Sequence, residues 1–154
     1  MTIRFAENNE VAILQNLNDE VFIDNAKYDT DLKLDWAQSE EGKTYFTEIV
    51  KNPKSICLIA EEDTNPVGYL VAKPKHFGYR LSSCIEIENM GVSPHFRSKG
   101  IGKKLIYECI RIAQERGFGK VYVNAYIQNT KAIHFYEKCG FTKIDISLEK
   151  NIQP

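Results

Sequence analysis

The sequence predicts an α/β (α+β) domain built on a mixed, mostly antiparallel sheet of about six strands, in the order β-α-α-β-β-β-α-β-α-β. Three observations predict it. Short β-rich runs alternate with stretches of helical period. Two adjacent runs are joined by the turn signal "DTNP", which reads as a hairpin. A strand–helix–strand unit lies mid-chain, and such a unit implies a right-handed crossover and a parallel pair.

"TIRFA" reads as the opening strand. From Glu7 to Asp24, Val11, Leu14, Leu17, Val21 and Phe22 recur at helical spacing. A polar, acidic loop follows to about Ser39. A second helix covers Glu40 to Lys51 and stops before Pro53. "SICLIAEE" and "PVGYLVAKP" are the hairpin strands, "KHFGYRLSS" a second tip, and "CIEIENMGV" the next strand. Ile101, Leu105, Cys109, Ile112 and Ala113 then set a helix that Gly117 and Gly119 end. "VYVNAYI" is a strand, and "NTKAIHFYEKCG" a short helix capped by Asn129 or Thr130 and closed at Gly140. "FTKIDISL" alternates cleanly, with Thr142, Ile144, Ile146 and Leu148 on one face, and reads as the last strand.

Length and composition bound the rest. A chain of 154 residues suits one domain, 1–154, large enough for a real core. No stretch approaches the ~20 apolar residues of a membrane span. The N-terminus lacks a signal-peptide apolar region, so the expectation is a cytoplasmic protein with no membrane partner. A net charge of −1 and a small positive patch argue against nucleic-acid binding. Cys57, Cys84, Cys109 and Cys139 have no CxxC spacing and read as reduced, mostly buried thiols. His76, His95 and His134 form no ligand pattern, so no metal is expected.

Charge is unevenly placed. Residues 95–104 hold Arg97, Lys99, Lys103 and Lys104 and no acid. Residues 19–41 hold eight acids against two lysines. The basic cluster lies in "VSPHFRSKGIGKKL". Gly100 and Gly102 lack Cβ atoms, so an anion can approach the backbone closely. A helix begins about there, with free N–H groups and the positive end of its dipole. Together these make a phosphate or pyrophosphate cradle. The plain alternative is a turn with solvated lysines. A P-loop fails because Arg97 stands where its first glycine belongs, and a dinucleotide fingerprint fails because Leu105 replaces its third.

What remains is Val-x-Pro, then Arg-x-x-Gly-x-Gly, then a helix. This resembles the acetyl-CoA signature of the GNAT (GCN5-related N-acetyltransferase) superfamily, matched at Arg97, Gly100 and Gly102. "NTKAIHFYEKCGF" looks like that family's later segment, matched at Asn129, Ala132, Phe135, Tyr136, Gly140 and Phe141. The element order fits as well, so the resemblance spans essentially the whole chain.

The resemblance implies an acetyl-CoA-dependent N-acetyltransferase with acetyl-CoA as co-substrate. The backbone of Ser98, Lys99, Gly100, Ile101, Gly102 and Lys103 would hold the pyrophosphate, with Arg97 beside it. Met90, Gly91 and Val92 would pair with the pantetheine arm, a main-chain N–H near Met90 acting like an oxyanion hole. Asn129 and Ala132, with the helix that carries Tyr136, would flank its other side. A protonated alkylamine cannot attack and must lose a proton. Glu86 and Glu88 match places where relatives carry a glutamate base. Spaced two apart, they are expected on one strand face with Met90 next in line, and the choice between them stays open. Tyr136 occupies the place of the family's tyrosine acid, which protonates the leaving thiolate; without the motif it would read as a core aromatic.

In relatives the first two helices and their loop wall the acceptor site. Here that region is acidic and would draw a cationic amine. Tyr28, Asp29, Trp36 and Tyr79 are the candidate acceptor contacts, with Tyr45 and Phe77 as further aromatic faces, and the expected acceptor is a polyamine or aminoglycoside-like amine. A lysine or N-terminal amine of a peptide is the alternative within this chemistry, and a non-catalytic acyl-CoA-binding module the alternative outside it. Relatives are often dimers, which implies a homodimer as one assembly.

Overall fold

A computed structural model describes residues 1–154. The elements are β1 (Thr2–Phe5), α1 (Val11–Asn25), α2 (Glu40–Lys51), β2 (Ile56–Glu62), β3 (Asn65–Lys75), β4 (Cys84–Val92), α3 (Ile101–Glu115), β5 (Lys120–Val123) and α4 (Thr130–Lys138). The order matches the sequence reading up to α4. The sheet runs β1-β2-β3-β4-β5. Its first three pairings are antiparallel, and β4–β5, joined across α3, is parallel. No helix is long and apolar enough to cross a membrane.

The chain divides into two compact units, Met1–Asn124 and Ala125–Pro154. In the first, the sheet is covered on both faces. Leu14 and Leu17 of α1 and Phe46 and Ile49 of α2 pack on Cys57, Ile59, Tyr69 and Val71. On the other face, α3 lies against β2, β3 and β4 and buries Ile101, Leu105, Cys109 and Ile112. Buried side chains of this size each contribute roughly 1.5–3 kcal/mol. β2 and the centre of β3 are buried on both sides, which is why their sequences run apolar rather than alternate.

Two buried amides tie α1 down. Gln15 Nε2 donates to Ala37 O (2.9 Å), anchoring the acidic loop, and Asn18 Nδ2 donates to the Tyr69 hydroxyl (2.7 Å). Gly91 lets α1 approach the end of β4, since a Cβ there would lie 2.6 Å from Val21 Cγ2.

The second unit holds α4 and a C-terminal stretch without helix or strand. The expected sixth strand does not form, because no residue after α4 belongs to a strand. Alternation announces a face waiting for cover, but the hydrogen bonds of a strand come from a neighbour. Here Ile144, Ile146 and Leu148 are 58%, 71% and 93% exposed, so the pattern goes unrealised. The "VYVNAYI" strand is likewise shorter than expected, ending at Val123. No disulfide joins the four cysteines, all of which are buried. Burial pushes the Cys57 and Cys109 thiols up to about 12.

Candidate active site

The glycine turn builds as its sequence suggests. Ser98 and Gly100 take left-handed backbone conformations (φ 61° and 80°), and Gly100 is the N-cap of α3. No side chain caps this helix. The first intrahelical bond is donated by Lys104 N to Gly100 O, so the N–H groups of Ile101, Gly102 and Lys103 have no partner within the helix. A Cβ on Gly100 would meet nothing within 4 Å, so the space over the turn is open. These residues fit a bound pyrophosphate. Lys99 and Lys103 flank the turn, with their ammonium groups over the rings of Phe96 and Tyr107. Arg97 is committed elsewhere. Its Nε donates to Val92 O (2.7 Å), and its Nη2 pairs with Asp24 at the end of α1 (2.6 Å).

β4 supplies the second part. Its register with β5 runs from Cys84↔Lys120 to Ile87↔Val123 and ends there. From Glu88 to Val92 the β5 side of β4 therefore carries no strand. Met90, Gly91 and Val92 stay paired with β3 on the other side. An amide-bearing chain laid along that open edge would find strand-type partners.

Met90 does not stand in the expected line with the two glutamates. Val71 pairs with Asn89 and Ala72 with Ile87, so Glu88 is the extra residue of a β-bulge. The bulge resets the alternation. Glu86, opposite Lys73, shares the α1/α2 face with Asn89 and Gly91, while Met90, opposite Leu70, is turned to the α3 face. Met90 is thus not in line with the glutamates. A one-residue bulge shifts every later side chain to the other face, and no residue type announces it.

Glu86 lies 3.7 Å from Lys75 Nζ and its side chain is largely buried. Glu88 is exposed and forms no ion pair. Its Oε1 accepts a hydrogen bond from the Tyr45 hydroxyl (2.5 Å), and Asn89 Nδ2 donates to the same Tyr45 oxygen (3.0 Å). The Tyr45 ring packs edge-on against Trp36 and Phe46.

Trp36 stacks on Phe22 at 5.5 Å, so it belongs to the apolar cluster over α1 and α2 as well as to the wall near Glu88. Tyr28 and Asp29 lie in the turn after α1. Lys27 covers the Tyr28 ring, and Asp29 Oδ1 accepts from Asp31 N (2.9 Å). Tyr79 is 86% exposed in the loop before β4 and rests against Phe77. That loop is at the Cys84 end of the strand, roughly 13 Å along it from Glu88. An open groove of about 410 Å³, lined by Lys75, Phe77, Arg80 and Phe118, lies at the same end. Trp36 and Glu88 are thus brought together through Tyr45, and Tyr79 is not part of that group.

In the second unit, Asn129 caps α4 by accepting from Ala132 N (3.1 Å). Gly140 closes the helix at φ 95°, with Phe141 N donating to Tyr136 O. The Tyr136 ring sits between Phe135 and Phe141. Burial, with a smaller push from Cys139, moves its phenol up to about 12, so it holds its proton at neutral pH.

The sequence places Tyr45 among the aromatics of the acceptor wall but marks neither it nor Asn89 as a partner of Glu88, nor Asp24 as the partner of Arg97. Tyr45 and Asp24 stand 43 and 73 residues from Glu88 and Arg97, and nothing local marks either pair.

The acetyltransferase (GNAT) family profile matches residues 16–141. The chain belongs to the GNAT family. It is 30% identical over 113 residues to glucosamine 6-phosphate N-acetyltransferase of Arabidopsis thaliana, covering 72% of this chain and 70% of that one. It is 27% identical over 117 residues to streptothricin acetyltransferase A of Bacillus subtilis, covering 69% and 65%. The chain spans about half the length of several other curated relatives, among them 47% of an uncharacterized N-acetyltransferase of Methanocaldococcus jannaschii. Among solved structures, the aminoglycoside N-acetyltransferase AAC(6')-Iy in complex with CoA superposes with a TM-score of 0.76 at 18% identity, over 99% of this chain and all of that one. The GNAT fold therefore holds although the sixth strand is missing.

Proposed function

We propose that this GNAT chain works as one N-acetyltransferase domain over residues 1–154, moving an acetyl group from acetyl-CoA to the primary amine of a small cationic acceptor. The observation that carries the reading is the meeting of an open β4 edge at Glu88–Val92 with the unpartnered N–H groups of Ile101, Gly102 and Lys103. A chain of amides ending in a pyrophosphate matches both. Acetyl-CoA supplies the acetyl group as an activated thioester.

The residues of this chain supply binding and proton handling. The glycine turn takes the diphosphate charge, helped by Lys99 and Lys103. The amine arrives as an ammonium ion and loses a proton to a glutamate of β4, Glu88 or Glu86. Freed of that proton, the nitrogen can attack a carbonyl carbon. The departing sulfur needs a proton, and the Tyr136 phenol, still protonated at neutral pH, is the group assigned to give it.

The acceptor class rests on charge. Residues 19–41 carry a net −6 and lead into Trp36 and Tyr45. A surface of that sign gathers cations. Among relatives, the printed activities include acetylation of streptothricin and of glucosamine 6-phosphate. The acidic segment favours the amine-rich, phosphate-free kind. The test is thiol release from acetyl-CoA across polyamines, aminoglycosides, glucosamine 6-phosphate and lysine peptides. Turnover with polycationic small molecules is expected. Turnover with peptides alone would overturn the acceptor class, and acetyl-CoA binding without any turnover would overturn the enzyme reading.

A further inference from the structure

We infer that Glu88, not Glu86, is the proton acceptor, and that Tyr45 of α2 is the positioning residue that holds it; this rests on the acetyl-transfer reading above.

The two carboxylates differ in what already occupies them. Glu86 has a regular β3 partner and an ammonium group, Lys75 Nζ, at 3.7 Å. That lysine competes with any incoming ammonium for the same charge. Glu88 has no cationic partner. As the bulged residue it stands off the ladder, at the point where β4 parts from β5. One of its oxygens is engaged by Tyr45, and the other has no hydrogen-bond partner.

A carboxylate on a bulge would ordinarily swing. Three contacts stop it. The Tyr45 ring is wedged between Trp36 and Phe46, with centroids at 5.3 and 5.0 Å. Asn89 Nδ2 donates to the Tyr45 oxygen and so turns the hydroxyl hydrogen toward Glu88. Burial and the Glu88 carboxylate both push the Tyr45 phenol far up, so that hydrogen stays on Tyr45 throughout the working pH range. The result fixes one oxygen and leaves its twin, on an exposed side chain, with no hydrogen-bond partner and a lone pair to offer.

The network is not arranged for stability. Asn89 Oδ1 is buried with no partner, a condition that costs folding free energy. An apolar side chain at 89 would avoid that cost but would release the Tyr45 hydroxyl. Strained or unsatisfied groups retained beside a reacting carboxylate are what positional demands produce.

A cycle of variants tests the assignment, with kcat and KM measured on the best amine of the panel. Glu88→Gln should lower kcat by about a hundredfold, and the loss in Glu86→Gln should be at least tenfold smaller. Tyr45→Phe should lower kcat about tenfold with the KM for acetyl-CoA unchanged, and it should add nothing in the Glu88→Gln background. An unchanged kcat in Tyr45→Phe, or the same fractional loss with and without Glu88, would overturn the positioning role while leaving acetyl transfer intact. Loss in Glu86→Gln with Glu88→Gln active would overturn the choice of base. Crystal structures of native and Tyr45→Phe protein give a readout that needs no turnover. The Glu88 carboxylate should be ordered in the first and displaced in the second, and an unmoved carboxylate in Tyr45→Phe would overturn the proposal.

Discussion

Arg97 Nη2 lies 2.6 Å from Asp24 Oδ2, joining the turn that precedes α3 to the last turn of α1. The same guanidinium donates from Nε to Val92 O. One side chain thus holds the end of β4, the end of α1 and the approach to the glycine turn together. The Asp24 pair is well exposed and contributes only ~0.2–1 kcal/mol to stability. Arg97→Ala is expected to shift the melting temperature little and to raise the KM for acetyl-CoA several-fold. Asp24→Asn should leave that KM unchanged. Thermal unfolding and steady-state kinetics on both variants check this.

Gly100 makes a sharper test of the cradle. Its φ of 80° costs a non-glycine residue about 1–2 kcal/mol. A Cβ there meets no protein atom, so the fold itself has room for one. Gly100→Ala should therefore lower stability by about that amount. It should weaken CoA binding by at least tenfold, because the added methyl stands over the N–H groups an anion needs. Calorimetry with CoA and with pyrophosphate alone separates the two effects.

Tyr136→Phe keeps the ring packing against Phe135 and Phe141 and removes only the hydroxyl. If that hydroxyl protonates the leaving sulfur, kcat falls ~10²-fold with CoA affinity unchanged. An unchanged kcat removes Tyr136 from the mechanism. In unfolded chains tyrosine titrates near 10, and here burial moves it to about 12. Activity should accordingly show no loss from this group between pH 7 and 9.

The buried thiols predict an alkaline limit to stability. Burial raises Cys57 and Cys109 from 9.0 to about 12. A thiol raised in the folded state favours folding fully below its unfolded value, and that contribution fades as pH rises from 9 toward 12. Each group then costs about 1.4 kcal/mol per pH unit above 9. Unfolding free energy should fall between pH 8.5 and 10.5, and Cys109→Ala should flatten the fall while lowering stability at pH 7. Urea titrations across that range give the slope. Neither thiol should react with iodoacetamide in the native protein.

Neutralising Asp29, Asp31 and Asp35 together tests the acidic wall. The expected result is a several-fold rise in acceptor KM, largest at low salt, with the KM for acetyl-CoA unmoved. Equal acceptor KM in both proteins would reduce this segment to a solvated surface.

Local chemistry was the legible part of this chain. The turn around Gly100, the Asn129 cap and the Gly140 closure are written in neighbouring residues, and all three stand where spacing puts them. The element order was legible because period reports burial: α3 buries the whole stripe its periodicity marks, and α1 and α2 bury the centre of theirs, Leu14 and Leu17 and Phe46 and Ile49. Relations between distant segments were not. Alternation in residues 141–148 describes a strand that lacks a neighbour. The bulge at Glu88 leaves no compositional trace, yet it decides which way Met90 faces. The Tyr45–Glu88 bond exists only because α2 crosses the sheet near that bulge.

The parting of β4 from β5 after Ile87 has a consequence for how such a chain can change over time. On the open edge and at the head of α3, the available groups are peptide N–H and C=O, which, the glycine position at Gly100 aside, every residue but proline presents alike. Beyond Glu88 and the Tyr45 that holds it, the available groups belong to the acidic loop of residues 19–41, and each can be exchanged by a single codon. Drift can rewrite the second surface freely while hardly touching the first. Under the acetyl-transfer proposal, a chain so divided is free to meet new amines without relearning its donor.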